Sequence, residues 1–157
     1  MTFVSGYHVG IVVPKLDDAA AELGELLGLS WATPRRATLR VEQGGDLSDV
    51  DLLYTYSRPS RDGLMVELIE EIPGTLWTTE PGRSATLHHI GFWADQFPLA
   101  LSSLDAGGKR EVSHVNSAGE TRVFSYHHVL GGALRVELVD SDLRADVARW
   151  VDRAPKR

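Results

Sequence analysis

Apolar and polar positions change their period several times along the chain, and each change marks an element. Residues 6–13, Gly-Tyr-His-Val-Gly-Ile-Val-Val, are β-branched and apolar and predict a strand that Pro14 ends. Leu16, Ala20, Leu23 and Leu27 then recur at helical spacing. Asp17 or Asp18 is placed to cap that helix and Gly28 to close it. Residues 37–43 and 50–56 predict two strands around a Gly44-Gly45-Asp46 turn, and 64–71 a further strand. The order is β-α-β-β-β. Residues 73–84 hold two prolines and two glycines and read as a connector. The order then returns. A strand over 87–94 precedes a helix that follows Asp95 and Pro98, carries Leu101 and Leu104 on its apolar side, and ends at Gly107-Gly108. Strands over 110–115 and 121–128, a Gly131-Gly132 turn and a strand over 133–139 complete it. Asp142 can cap a final helix whose stripe of Leu143, Val147 and Trp150 is expected to pack on the sheet or on a partner subunit.

The return is visible in the residues as well as in the elements. His8-Val9-Gly10-Ile11 matches His89-Ile90-Gly91-Phe92, 81 positions on. Leu64-Met65-Val66-Glu67-Leu68-Ile69-Glu70 matches Leu134-Arg135-Val136-Glu137-Leu138-Val139-Asp140, 70 positions on, with four identities and two conservative changes. Such a period is too long for a solenoid and reads as a duplicated module. The expected organisation is one α+β domain over 1–157: module one at 5–72, a connector at 73–85, module two at 86–140 and a C-terminal helix at 141–153. The two βαβββ modules supply eight strands.

Strand alternation sorts the polar residues by face. His8 shares a face with Gly10 and Val12, His89 with Gly91 and Trp93, Glu67 with Met65 and Ile69, and Glu137 with Arg135 and Val139. Glu67 and Glu137 lie inside otherwise apolar strands, where an uncompensated carboxylate is costly. A pseudo-twofold arrangement would bring both histidines and both glutamates to one cleft around one cation, with coordination offsetting the burial of charge. Two imidazoles and two carboxylates suit Zn²⁺, Ni²⁺, Co²⁺, Fe²⁺ or Mn²⁺.

Composition narrows the rest. A length of 157 residues supports one compact domain, and 43% hydrophobic with 24% charged residues is an ordinary globular balance. With no cysteine, the chain has no disulfide framework, thiolate metal site or cysteine nucleophile. A net charge of −6 disfavours nucleic acid and anionic membrane surfaces as partners. Arg35, Arg36, Arg58, Arg61 and Arg83 fall in loops or at strand ends; solvated arginines are the default reading, a local site for a phosphate or CoA-like group the alternative. The first charged residue is Lys15, and the apolar run from Val9 to Val13 is too short for a signal-peptide core or a membrane span, so a cytoplasmic protein is expected.

Tyr7-His8-Val9-Gly10, Val66-Glu67-Leu68, Leu87-His88-His89-Ile90-Gly91 and Val136-Glu137-Leu138 together resemble the glyoxalase or vicinal-oxygen-chelate superfamily. That superfamily includes glyoxalase I, methylmalonyl-CoA epimerase, extradiol dioxygenases and bleomycin-binding proteins, and the resemblance covers roughly residues 5–140. It implies paired βαβββ modules in a curved, cleft-bearing mixed sheet. Metal ligands come from the first and last strands of each module, which fall here at His8, Glu67, His89 and Glu137. His89 is favoured over His88 by the epimerase-like phrase and by strand parity. The His-Glu-His-Glu set looks like bacterial glyoxalase I, and Leu-His-His-Ile-Gly looks like methylmalonyl-CoA epimerase. A homodimer is implied by the resemblance alone.

The chemistry so implied acts on a small molecule with neighbouring oxygens. A carboxylate, or a nearby base, removes the proton next to a carbonyl, and the metal stabilises the enediolate. Glu137 is the first candidate for a ligand that doubles as base. Asp51 is a second candidate, although a solvent-facing strand residue is its commoner role. Tyr54, Tyr56, Trp77, Trp93, Tyr126, His127 and His128 are candidate pocket-lining residues, each of which would also serve as core or surface filling. Two other readings stand beside this one: an Fe²⁺ ring-cleaving dioxygenase, which a fourth protein ligand opposes, and a non-catalytic drug-binding protein.

Overall fold

The computed structural model describes residues 4–155. In chain order the elements are β1 (Val4–Val13), α1 (Leu16–Leu27), β2 (Arg35–Gln43), β3 (Asp46–Tyr56), β4 (Met65–Glu70), β5 (Thr86–Ala94), α2 (Phe97–Gly107), β6 (Lys109–Val115), β7 (Thr121–Val129), β8 (Leu134–Asp140) and α3 (Arg144–Asp152). This is βαβββ twice, followed by a helix, as the sequence periodicity predicts. Hydrogen-bonded neighbours follow the order β1-β4-β3-β2-β6-β7-β8-β5. The sheet is mixed because β1–β4 and β5–β8 pair in parallel, while β3–β4, β2–β6, β6–β7 and β7–β8 pair antiparallel. The α+β class and the eight-stranded mixed sheet are therefore as expected.

The chain forms two compact units that interleave in sequence. The first contains His8–Ala37, Leu52–His88 and the chain from Asp146; the second contains Thr38–Asp51 and His89–Ala145, with the chain up to Tyr7.

In the first unit, α1 covers β1 and β4 through a core of Val13, Leu16 and Leu68, joined by Ala20, Leu23 and Leu53. The start of α1 departs from the predicted cap. Lys15 holds the N-cap position without a side-chain bond, and the Leu16 N–H donates to a Glu70 carboxylate oxygen at 3.0 Å. A neighbouring strand thus supplies the anion, while Asp17 and Asp18 sit in the first turn, where the helix dipole favours them. Gly28 closes the helix at φ +69°, the left-handed conformation that glycine reaches without strain.

In the second unit, α2 covers β5 and β8 through Ala94, Phe97, Ala100 and Leu138, with Leu101 and Leu104 packed against them. Strand β3 begins at Asp46, four residues before the apolar alternation at Val50. Polar cross-strand contacts account for the extension: Arg40 pairs with Asp49 at 3.0 Å, and Thr38 donates to Asp51 at 2.6 Å.

Candidate metal centre

In the first unit, the parallel register of β1 and β4 sets Gly10 beside Glu67 and His8 beside Met65. Gly10 presents no side chain there, so the carboxylate extends toward the neighbouring imidazole. His8 Nε2 lies 3.4 Å from Glu67 Oε2. Across β3–β4, Tyr56 stands opposite Glu67, and its ring meets His8 edge-on at 5.3 Å and 84°.

The second unit builds the same arrangement from the other module. Gly91 lies beside Glu137 in the β5–β8 register, and His89 Nε2 lies 3.3 Å from Glu137 Oε2. Tyr126 stands opposite Glu137 across β7–β8, and its ring meets His89 at 5.0 Å and 68°. His88, the neighbouring residue on β5, is engaged elsewhere, its Nε2 lying 3.0 Å from the Leu76 carbonyl.

His8, Glu67, His89 and Glu137 are 0%, 5%, 2% and 6% exposed. Within each unit, the histidine and the glutamate each present one donor atom of a kind that can hold a metal ion. The donor chemistry fits a divalent transition metal. So does the spacing within each pair, since donors about 2.1 Å from a tetrahedral ion lie about 3.4 Å from each other.

The tyrosine partners were visible in the sequence only as candidate pocket lining. Tyr56 and Tyr126 are 70 positions apart, the same offset as Glu67 and Glu137, so the repeat extends into the preceding strands. Gly10 and Gly91 are part of it too, as the third residue of each His-x-Gly. The next position on that face is asymmetric. Tyr54 packs edge-on against Tyr56 at 6.2 Å, whereas Phe124 packs against Tyr126 at 5.5 Å. The Tyr54 phenol is held above its ordinary range, first by burial and then by the negative charge of Glu67; Arg35 works against both.

The other candidates separate from these pairs. Asp51 lies on the face of β3 opposite to Tyr54 and Tyr56, is exposed, and accepts its hydrogen bond from Thr38. His127 is fully buried, shares a hydrogen bond with Ser125 Oγ at 2.9 Å, and lies 3.8 Å from Asp105. His128 pairs with Glu111 at 3.0 Å, and Arg135 clamps the same carboxylate with two bonds of 2.7 and 2.9 Å. Burial alone would raise the Glu111 carboxyl, but Arg135 and His128 outweigh it and hold it below the ordinary range. Trp77 is core, and Trp93 stacks on Tyr7 at 3.8 Å. Arg35, Arg58 and Arg83 pair with Asp146, Asp152 and Glu80, while Arg36 and Arg61 are exposed. No helix among the described residues is long and apolar enough to cross a membrane.

Solved structures with this fold include methylmalonyl-CoA epimerase from Mycobacterium tuberculosis, at TM-score 0.58 and 18% identity over 92% of this chain and 95% of that one. A hypothetical protein from Bacillus halodurans follows at TM-score 0.53 and 16% identity, covering 88% and 95%. Streptomyces coelicolor methylmalonyl-CoA epimerase, in a variant complexed with 2-nitronate-propionyl-CoA, aligns at TM-score 0.51 and 18% identity over 88% and 98%. No curated protein sequence gives a significant match. Residues 7–126 match the family described as glyoxalase/bleomycin resistance protein/dioxygenase. With most of its length inside that match, the chain belongs to the glyoxalase/bleomycin resistance protein/dioxygenase superfamily.

Proposed function

We propose that this chain is a metal-dependent isomerase or lyase of epimerase or glyoxalase type, with His8, Glu67, His89 and Glu137 holding one divalent transition-metal ion. The observation that carries the reading is the duplicated pair: a buried imidazole 3.3–3.4 Å from a buried carboxylate, built once in each unit with the same glycine and tyrosine partners. Four buried polar side chains in two matched pairs are hard to account for as packing alone. Family membership and the epimerase neighbours point the same way.

Bound there, the ion would supply Lewis-acid stabilisation of negative charge developing on substrate oxygen. The chain's own residues hold the ligands and move the proton. Tyr56 and Tyr126 fix the two imidazole planes from the strand opposite each glutamate. Glu137 is the proposed base that takes the proton next to a carbonyl and returns it to the same or a neighbouring carbon. Phe124 stands where module one has Tyr54, so the two modules differ by one hydroxyl beside the tyrosine that meets the imidazole. The substrate class is a small carbonyl compound with neighbouring oxygens. An acyl-CoA such as methylmalonyl-CoA is the first to try, because the epimerases with this fold act on it.

The test is deuterium uptake from heavy water at the carbon next to the carbonyl, read by mass spectrometry on metal-loaded protein. Methylmalonyl-CoA and the glutathione hemithioacetal of methylglyoxal are the two substrates. Glu137→Gln is expected to lower exchange by about 10²-fold or more. Full exchange in a metal-loaded Glu137→Gln protein would remove Glu137 from the base role. Absence of exchange with both substrates in the metal-loaded wild type would overturn the epimerase and glyoxalase readings together.

A further inference from the structure

The C-terminal helix α3 lies beyond the residues that match the family, yet one of its side chains reaches the wall beside His8 and Glu67. Trp150 is buried, and its indole packs edge-on against both inward-facing tyrosines of β3: Tyr54 at 5.4 Å and 78°, Tyr56 at 5.6 Å and 82°. Tyr56 in turn meets His8 at 5.3 Å, and the Tyr54 phenol feels the charge of Glu67. The indole is therefore one ring removed from His8.

Three contacts fix its position. Its N–H donates to the Thr33 carbonyl at 2.8 Å, the Arg35 guanidinium stacks over it at 4.1 Å, and Arg35 is held to Asp146 on the same helix at 2.7 Å. At the far end of the helix, Arg58 donates to the carbonyls of Asp152 and Ala154, both at 3.1 Å. Two arginines thus anchor the helix at both ends, and the buried tryptophan lies between them. Arg35 and Tyr54 are only half-buried, so this aromatic wall is also the edge at which the first unit meets solvent.

We infer that Trp150 is a positioning residue that sets specificity through Tyr54 and Tyr56, holding their rings beside His8 and Glu67 so that only ligands with a small substituent are admitted on that flank. The inference rests on the metal-centre reading above. An indole held by Thr33 and by the braced Arg35 cannot yield to a bulky group without breaking that bond and that stack. Tyr56, buried against it, has no room to swing back. Ligands whose neighbouring oxygens carry a methyl-sized group fit; those carrying an aromatic ring collide.

The experiment uses full-length protein loaded with Co²⁺, whose visible absorption reports ligands entering its coordination sphere. Acetohydroxamate and benzohydroxamate are titrated as two-oxygen chelators that differ in the size of one substituent. Wild type is expected to favour acetohydroxamate. Trp150→Ala is expected to shift the affinity ratio toward benzohydroxamate by roughly tenfold or more, the scale at which pocket volume discriminates between ligands. Trp150→Phe keeps an aromatic core residue should the alanine variant fail to fold, and should move the ratio the same way by less. A merely structural role would weaken both chelators together and leave the ratio unmoved. An unchanged ratio in a folded, Co²⁺-loaded variant overturns the inference alone. Failure of wild-type protein to take up Co²⁺ overturns the metal-centre reading beneath it.

Discussion

Tyr56 stands opposite Glu67 across the antiparallel β3–β4 pair, and its ring meets the His8 imidazole edge-on at 5.3 Å. One side chain is thereby registered to both members of a proposed ligand pair. Tyr126 has the same relation to Glu137 and His89, with ring centroids 5.0 Å apart. An edge-on aromatic contact fixes the plane of an imidazole as well as its position, which keeps Nε2 aimed at the carboxylate. Neighbours that orient a metal-binding histidine govern affinity almost as strongly as the ligand itself.

Replacing either ring should therefore weaken metal binding without removing a ligand. Tyr56→Leu and Tyr126→Leu are each expected to lower metal affinity about tenfold, measured by competition with a chromophoric chelator. Each should also destabilise the metal-free protein by roughly 1–3 kcal/mol through lost ring contacts and packing, measured by urea unfolding. Unchanged metal affinity in both variants would show that the rings pack against the histidines without orienting them.

Burial holds the His127 imidazole below the ordinary histidine range; the Asp105 carboxylate opposes that shift, and the Arg110 charge adds to it. The unfolded chain takes up this proton near pH 6.5 while the folded chain resists it. The resulting stability is present above about pH 6.5 and is lost as pH falls through the window beneath it, toward the folded value. In metal-free protein, His127→Gln should show a shallower decline of unfolding free energy across that window than wild type. Wild type and variant must be compared, because only their difference isolates the contribution of His127. Parallel pH profiles would mean that His127 is as readily protonated in the fold as in the unfolded chain.

Much of this was legible in the sequence because duplication made it so. A buried glutamate in Val66-Glu67-Leu68 is ambiguous by itself, and its recurrence in Val136-Glu137-Leu138 turns two ambiguous residues into one pattern. Strand parity separated His89 from His88, since a period of two leaves no intermediate face. What stayed hidden depended on contacts between elements distant in sequence. The anion at the start of α1 comes from Glu70, 54 residues away, so the nearby Asp17 and Asp18 drew attention to the wrong cap. Trp150 shows only as part of an apolar helical stripe. Its packing against Tyr54 and Tyr56 is a tertiary fact with no local signal. The polar start of β3 has no apolar alternation to announce it, and Arg40–Asp49 is a side-chain contact across to β2 within it.

The metal content of the protein tests the central claim most directly. Protein purified without chelator would be analysed for elements alongside His8→Ala and Glu137→Ala, one from each pair. The expected result is about one transition-metal ion per chain, the occupancy of a single four-ligand site, lost or sharply reduced in both variants. Wild-type protein that holds no metal, even after reconstitution with Zn²⁺, Ni²⁺, Co²⁺, Fe²⁺ or Mn²⁺, would contradict it. The duplicated His–Glu pairs would then be structural ion pairs.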